Sequence, residues 1–344
     1  MILPATDETI RQAAERLAAG ELIGLPTETV YGLAANAWDA AAVTKIFAAK
    51  SRPATNPLIV HVAGIERLRD ALQWPPPPII GQQIDALSDL WPGPLTIVGP
   101  RGSKIPDEVT AGKTTVAVRI PAHPVARRLL QACPFPLAAP SANRSTYISP
   151  TLAEHVCDAS GLGHAVALVI DGGPCTHGVE STILLLGQQP RLLRPGSITA
   201  ERLAERLRIG VEELQWQPQT PSADPAREAL LAPGMLREHY APATPLVLLP
   251  LAVTDRRAAP ADGRAIGRIA FQRLSPHEAA RYRIVETLSD RGDLEEVARH
   301  LFAALRRLDA AGLSEIHCDT CSPQGLGQAI MDRLTRAAAR TRKG

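Results

Sequence analysis

Side chains that can bind anions and polar groups are concentrated in residues 25–62. A loop with two threonines follows the first apolar run of this stretch, and His61 lies near the end of the second run. Between the runs, Lys50 and Arg52 stand two residues apart, just before a proline. Because an oligophosphate needs several fixed cations, this spacing predicts an anion site, to which Asn56 can add a neutral donor.

Polar side chains also follow other predicted strands. Nine candidates share this position at a strand end, and they are Thr29, Lys50, Arg52, His61, Arg119, Ser141, Asn143, Ser181 and Arg194. Each of them alone is explained by a turn or a cap, but α/β folds place ligands where strands end, so together they predict one shared site. The sequence has no Ser-His-Asp order and no HExxH helix. We therefore expect a site that positions polyanionic and zwitterionic substrates, with few groups for covalent chemistry.

Three short motifs suggest other chemistry and are rejected on context. Gly112-Lys113-Thr114 resembles the end of a P-loop, but the first glycine of that motif is missing and a strand follows instead of a helix. Gly325-Leu326-Gly327 precedes a helix without the rest of a dinucleotide fingerprint, which indicates tight packing of a strand–helix turn. Cys318 and Cys321 have redox spacing but no second pair for zinc, so we interpret them as structural.

The elements that must position these residues alternate between strand and helix over roughly the first 195 residues. The four prolines at positions 75–78 are expected to form a loop, and residues 80–90 a helix. Residues 215–233 are rich in Pro, Gln and Ala, as in a linker. The predicted fold class is α/β: a twisted, mixed, open sheet in residues 1–198, a linker in 199–243, and a smaller Rossmann-like α/β domain in 244–344.

Composition limits the functional classes. The 344 residues are 45% hydrophobic and 21% charged, which is ordinary for a globular protein, and the net charge of +2 gives no general attraction to nucleic acid or anionic membranes. The N-terminal stretch lacks the pattern of a signal peptide, and no apolar run is long enough for a membrane span. The five cysteines show no disulfide framework. These features favour the cytoplasm.

Several ordered motifs resemble the YrdC-like family. They are PTETVYGL from Pro26, KSRP from Lys50, NPL from Asn56, Ser141-Ala142-Asn143, Asp171-Gly172-Gly173, GVEST from Gly178 and LRPG from Leu193. The segment Pro233-Gly234-Met235 with His-Tyr-Ala-Pro at 239–242, and the small C-terminal domain, are similar to the long, two-domain threonylcarbamoyl-AMP synthases. Ala232 and Leu236 depart from the residues that many or some relatives have there.

The resemblance implies a nucleotidyltransferase that makes L-threonylcarbamoyl-AMP and pyrophosphate from L-threonine, bicarbonate or CO2, and ATP. The product would feed the threonylcarbamoyladenosine modification of tRNA through a downstream transferase, with weak or no direct tRNA binding. Mg²⁺ is expected to arrive with ATP, and the linker to fold over the site. The implied catalytic residues are Lys50 and Arg52, the threonine site is Thr29, His61, Arg119, Ala139 and Ser181, and the ATP site is Lys50, Arg52, Asn56, Thr115, Ser141, Asn143, Ser149, Arg194, His239 and Tyr240.

Two other classes remain as alternatives. One is an RNA-binding module, against which the near-neutral charge and the scarce aromatics argue. The other is a carbamoyl-transfer enzyme of the hydrogenase-maturation type, which shares the YrdC-like domain but also needs acylphosphatase and zinc-finger segments.

Overall fold

The computed structural model describes residues 1–158, 161–214, 216, 239–250 and 264–339, and it contains two sheets. The strands of the large sheet are β1 Ile2–Pro4, β2 Ile23–Leu25, β3 Gly32–Asn36, β4 Ile59–His61, β5 Leu95–Pro100, β6 Thr115–Arg119, β7 Leu137–Ala138, β8 Leu168–Asp171, β9 Thr182–Leu185 and β10 Arg191–Arg194. Those of the small sheet are β11 Leu246–Leu248, β12 Ile266–Ala270, β13 Ile284–Thr287 and β14 Glu315–Cys318. The helices are α1 Asp7–Ala18, α2 Ala40–Lys50, α3 Pro78–Ala86, α4 Asp107–Thr110, α5 Pro124–Ala132, α6 Glu154–Cys157, α7 Ala200–Leu207, α8 Pro276–Ala279, α9 Leu294–Asp309 and α10 Leu326–Ala338.

The large sheet is mixed, with the strand order β1-β8-β2-β3-β7-β4-β6-β5-β9-β10. Strand β4 runs parallel to β6 and antiparallel to β7, and the β4–β6 register places His61 opposite Arg119. Strand β9 runs parallel to β5. These pairings bring candidate residues that are far apart in sequence to neighbouring strand ends, as the α/β prediction requires.

Helix α2 delivers the two candidate cations. Its N-terminus is capped by Asp39, whose carboxylate accepts from two backbone amides of the first turn. Its C-terminus is closed by Ser51 in the left-handed conformation (φ 51°), with backbone bonds back to the last turn. This reversal leaves both Lys50 and Arg52 buried, at 1% and 7% exposure.

The small sheet is entirely parallel, in the order β11-β14-β12-β13. Helix α9 buries one face along Val297, Leu301 and Leu308, as its 3.6-residue periodicity predicts. The same core cluster contains Val30 and Tyr240, so the small domain packs directly against the large one. The predicted fold class is confirmed. No helix in the described ranges is long and apolar enough to cross a bilayer.

Some local predictions are wrong. Strand β3 falls in a segment interpreted as loop, because its residues, Gly-Leu-Ala-Ala-Asn, carry no alternating apolar and polar pattern. Helix α3 starts at Pro78, inside the predicted proline loop, since proline is tolerated in a first helical turn, and it ends at Ala86; a separate 3₁₀ turn covers Ser88–Leu90.

The predicted linker, 199–243, contains a helix as well as residues that the structure does not describe. Helix α7 lies within it and buries Leu203 and Ala204 in the core of the large domain. Residues 217–238, with Ala232 and Leu236, lie outside the described residues.

Candidate active site

One cleft collects most of the candidate residues. It has a volume of about 510 Å³ counted to its open mouth. Ten of the fifteen predicted site residues line it: Thr29, Arg52, His61, Arg119, Ala139, Ser141, Ser181, Arg194, His239 and Tyr240. The site therefore joins the ends of β4, β6, β7 and β10 with the segment that enters β9, and with two residues that precede the small domain.

Arg119 organises one half of the cleft. Its Nη2 forms a buried ion pair with Glu28 Oε1 at 2.7 Å, and its Nη1 donates to Thr29 Oγ1 at 2.9 Å. Burial alone would raise the pKa of Glu28, but the charge of Arg119 outweighs this and lowers it to about 2. Arg119 is thus held by a carboxylate that stays ionised, with its guanidinium oriented along the cleft wall.

His61 contributes a neutral imidazole next to this pair. Burial, and then the charge of Arg119, lower the pKa of His61 to about 3. Its Nδ1 has no hydrogen-bond partner among the described residues, although the ring is only 2% exposed. At neutral pH this residue offers hydrogen bonding without charge.

The other half of the cleft contains Arg52, and Lys50 lies in the wall behind it. Arg52 donates only to uncharged oxygens: Nε to Asn56 O at 3.0 Å, and Nη2 to Asn56 Oδ1 at 2.6 Å and Pro57 O at 2.8 Å. Lys50 Nζ donates to the backbone carbonyls of Ser141 and Asn143. Neither cation is ion-paired with a carboxylate in the described part of the chain.

Burial carries an electrostatic cost at these cations. It lowers the pKa of Lys50 well below its usual range, lowers that of Arg52 to about 9, and lowers that of Arg194 to about 10. Arg52 adds to the effect at Lys50, and Arg194 adds to it at Arg52, because like charges repel. An anion bound between them would relieve this repulsion.

Ser181 and Arg194 connect the two halves. The Ser181 hydroxyl shares a hydrogen bond with Thr96 Oγ1 at 2.8 Å and accepts from Arg194 Nη2 at 3.1 Å. Arg194 Nε also donates to Ser181 O at 3.0 Å. This backbone contact fixes the guanidinium on the loop that enters β9.

His239 and Tyr240 close the cleft from the small-domain side. Burial, and then Arg52, lower the pKa of His239 well below its ordinary value. Tyr240 has a left-handed backbone (φ 64°) and stacks on Phe302 of α9, with ring centroids 5.4 Å apart. Its buried hydroxyl has no hydrogen-bond partner among the described residues, so both side chains present polar atoms to a ligand.

Five predicted residues do not line the cleft: Lys50, Asn56, Thr115, Asn143 and Ser149. Four of them hold its walls. Lys50 and Asn56 make the contacts given above, Asn143 Nδ2 donates to the carbonyls of Arg144 and Tyr147, and Ser149 Oγ donates to Glu180 Oε1 at 2.6 Å. Thr115 lies at the other end of β6 from Arg119. Their assignment to the nucleotide stays a prediction.

Among the residues that line or hold the site and were missed, three are polar residues of the quoted motifs: Thr27, Glu28 and Glu180. Thr27 Oγ1 shares a hydrogen bond with Thr29 Oγ1 at 2.9 Å, and Glu180 lines the cleft. Glu28 and Glu180 each stand next to a predicted residue in a quoted motif, which is the signal that could have found them.

The described residues contain no group of three or more His, Cys, Asp and Glu side chains that could hold a metal ion. Both carboxylates at the cleft are ion-paired, Glu28 with Arg119 and Glu180 with Arg333. The donor set here suits an anion, and a metal ion that enters with a phosphate ligand is compatible with it.

A large mixed sheet with a cationic cleft at its strand ends, together with a small parallel sheet, defines a two-domain α/β protein. The family model described as "Telomere recombination" (Sua5, YciO and YrdC) matches residues 15–196, and the model described as "Threonylcarbamoyl-AMP synthase, C-terminal domain" matches residues 198–339. The chain belongs to this Sua5–YciO–YrdC family, in its two-domain form.

Its relatives cover nearly the whole chain. The threonylcarbamoyl-AMP synthase of Bacillus subtilis is 40% identical over 343 residues, which cover 98% of this chain and 94% of the relative. That of Pyrococcus abyssi is 38% identical, with 96% and 94% covered. The crystal structure of P. abyssi Sua5 complexed with L-threonine has a TM-score of 0.87 at 36% identity, covering 99% of this chain and 98% of that one. The predicted family is confirmed.

Proposed function

We propose that this chain is a nucleotidyltransferase that forms L-threonylcarbamoyl-AMP and pyrophosphate from L-threonine, bicarbonate or CO2, and ATP. The observation that carries the proposal is that two complementary half-sites share one cleft. One half is an oriented Arg119 with a neutral His61, and the other is lined by Arg52 and Arg194, with Lys50 in the wall behind them. Nearly full-length relatives named threonylcarbamoyl-AMP synthase support the same assignment.

The Arg119 half suits an amino-acid zwitterion. The Arg119 guanidinium would bind the threonine carboxylate, and the ionised Glu28 holds it in the required orientation. Thr29, Ser181 and the backbone at Ala139 add polar groups beside the ligand, and the neutral imidazole of His61 would accept or donate a hydrogen bond. A group that hydrogen-bonds the threonine hydroxyl would reject valine by up to ~10⁴-fold, because that group would otherwise be left unpaired.

The cation half suits the triphosphate. In its free-base form the threonine nitrogen attacks CO2, so that an N–C bond forms and a proton leaves to give the carbamate. A carbamate oxygen then attacks the α-phosphorus of ATP, the bond to the β-phosphate oxygen breaks, and pyrophosphate departs with the electron pair. Lys50, Arg52 and the Mg²⁺ that ATP brings would balance the charge on that leaving group.

The proposal also covers the enzyme that uses the product, the binding of tRNA and the cellular location. The product is a reactive mixed anhydride, which a tRNA threonylcarbamoyl transferase would consume to modify the adenosine next to the anticodon. The net charge of +2 supports weak or no direct tRNA binding. Five cysteines in the free state support a cytoplasmic setting.

The test is pyrophosphate release from ATP, measured with and without L-threonine and bicarbonate. Joint dependence on both, with valine as a poor substitute, is the expected result. Pyrophosphate release that continues at the same rate without threonine would refute the proposal. Salt-sensitive tRNA binding with no AMP-containing product would favour the RNA-binding alternative instead.

A further inference from the structure

Arg333 of the small domain reaches the wall of the cleft. Arg333 lies on α10, and its side chain is 0% exposed. Its Nε donates to Glu180 Oε2 at 2.8 Å, and its Nη2 donates to the Glu180 carbonyl at 3.4 Å. These residues are 153 positions apart, so the contact exists only because the two domains are packed together.

Glu180 is the carboxylate that this arginine controls. It lines the same cleft as Arg194, and its other oxygen accepts from Ser149 Oγ at 2.6 Å. Burial raises the pKa of Glu180, but Arg333 and then Arg194 outweigh this, so its pKa lies below the ordinary value. An ionised carboxylate therefore stands beside the cations that are proposed to bind ATP.

Left alone, that carboxylate would oppose the nucleotide in two ways. It would repel the phosphates directly, and it would compete with them for the charge of Arg194. The ion pair from Arg333 offsets the charge of Glu180 and turns the carboxylate toward α10. Arg333 Nη1 also pairs with Asp332 at 2.7 Å, and Asp332 pairs in turn with Arg336, so two arginines balance two carboxylates. Arg333 also lies 5.4 Å from the centroid of the Tyr240 ring, so the same side chain supports the residue that closes the cleft.

The segment that carries Glu180 is also fixed by α9. Gly178 has a left-handed φ of +72°, and a Cβ there would lie 2.4 Å from Ala298 O and 2.5 Å from the Arg299 Cα. Arg299 Nε donates to the carbonyl of Thr176 at 2.9 Å. The loop before β9 is therefore held between two helices of the small domain.

We propose that Arg333 is a positioning residue through which the small domain prepares the cleft for ATP, by neutralising a carboxylate, Glu180, that would otherwise oppose the phosphates. The inference rests on the proposed function. It gives the C-terminal domain a specific task at the site, beyond covering it.

The test compares Arg333→Met, Glu180→Gln and the double variant in the full-length chain. Arg333→Met should raise the KM for ATP by roughly 10- to 50-fold, because it leaves a lone carboxylate beside the phosphate site, and the KM for L-threonine should change less than about threefold. Adding Glu180→Gln to Arg333→Met removes that carboxylate charge and keeps an acceptor for Ser149. The double variant should bring the KM for ATP back to within about threefold of wild type.

Arg306→Met is the matched control. Arg306 is also buried and crosses the same domain boundary, through Nη1 to Asp158 Oδ2 at 2.9 Å and Nη2 to Ile148 O at 2.5 Å, but it does not line the cleft. It should lower the unfolding midpoint without raising the KM for ATP. An equal rise of the KM for ATP in Arg333→Met and in Arg306→Met would mean that domain docking in general is responsible, and would overturn the inference.

A double variant that binds ATP as weakly as Arg333→Met would also overturn it. If Arg333→Met does not fold, the double variant is compared directly with wild type, since it lacks the Glu180 charge and its Asp332 keeps the ion pair with Arg336. A rise of its KM for ATP by about tenfold or more overturns the inference. Calorimetric binding of a non-hydrolysable ATP analogue separates this inference from the proposed function. Absence of turnover in the wild type would refute the function, whereas the order of analogue affinities tests Arg333 directly.

Discussion

Replacing Arg52 by methionine should leave the ligand-free protein at least as stable as the wild type while removing most of its activity. Arg52 is 7% exposed and has no carboxylate partner in the described ranges. Methionine is similar in length and uncharged, so it fills the same space without a buried charge. The cleft would thus keep an unfavourable charge in place so that ATP can be bound there.

The magnitude follows from the pKa and the hydrogen bonds. Burial lowers the pKa of Arg52 from an ordinary 12.5 to about 9, a difference of about 3.5, and each pKa unit corresponds to ~1.4 kcal/mol. The charge therefore opposes folding by about 5 kcal/mol at pH 7, where Arg52 is protonated in both the folded and the unfolded state. Three hydrogen bonds from this charged donor to the oxygens of Asn56 and Pro57 return about 1.5 kcal/mol each. The expected net gain for Arg52→Met is therefore small, about 0.5 kcal/mol.

Urea unfolding at pH 7 without ATP measures this gain, and pyrophosphate release measures the loss of activity. We expect kcat to fall by ~10²-fold or more, and the rise in Tm that ATP causes in the wild type to shrink. Arg16→Met is the surface control, since Arg16 is 44% exposed and paired with Glu21, and its effect should stay within about 0.5 kcal/mol. An Arg52→Met protein that is less stable than wild type by more than about 1 kcal/mol, or that turns over normally, would refute the reasoning.

Three further predictions concern other parts of the site. Glu28→Gln should lower the free energy of unfolding by about 3 kcal/mol at pH 7. The lowered pKa of Glu28 contributes stability that is present above its ordinary pKa of 4.5 and is lost as pH falls toward about 2. Denaturation at several pH values should therefore show that the stability of the variant falls less steeply with acidification than that of wild type. The kcat/KM for L-threonine should show no ionisation of His61 near pH 6.5, and one that disappears in His61→Gln would contradict the neutral assignment. Gly178→Ala should destabilise the protein by at least ~2 kcal/mol more than Gly173→Ala. Both glycines have positive φ, but only at Gly178 would the added Cβ meet the backbone of α9, at 2.4 Å. Equal urea midpoints for the two variants would count against the clash.

Much of the fold could be predicted from local signals. Thr6 caps α1, Asp39 caps α2, and the periodic apolar residues of α9 form its buried face, and each of these features depends on neighbouring residues. The errors are also local in origin. Strand β3 has no alternation because both of its faces are covered, and a helix that starts at Pro78 resembles a proline loop when only composition is considered.

The candidate site was predicted to a similar degree. Residues at strand ends are brought together because the strands lie side by side, and ten of the predicted residues line one cleft. The sequence offered no means to separate residues that face the cleft, such as Arg52, from those that support its wall, such as Lys50 and Ser149. That distinction depends on the direction of each side chain after the backbone has folded.

The sequence by itself determined the α/β class, the family, and the set of polar residues at strand ends, because caps, apolar periodicity and ordered motifs are properties of neighbouring residues. Only the tertiary structure decided which of these side chains are partners. The β4–β6 register sets His61 against Arg119, the fold of the loop pairs Glu28 with that arginine, and domain packing brings Arg333 to Glu180 across 153 positions of the chain. The energies of these contacts depend on burial, which no local pattern contains.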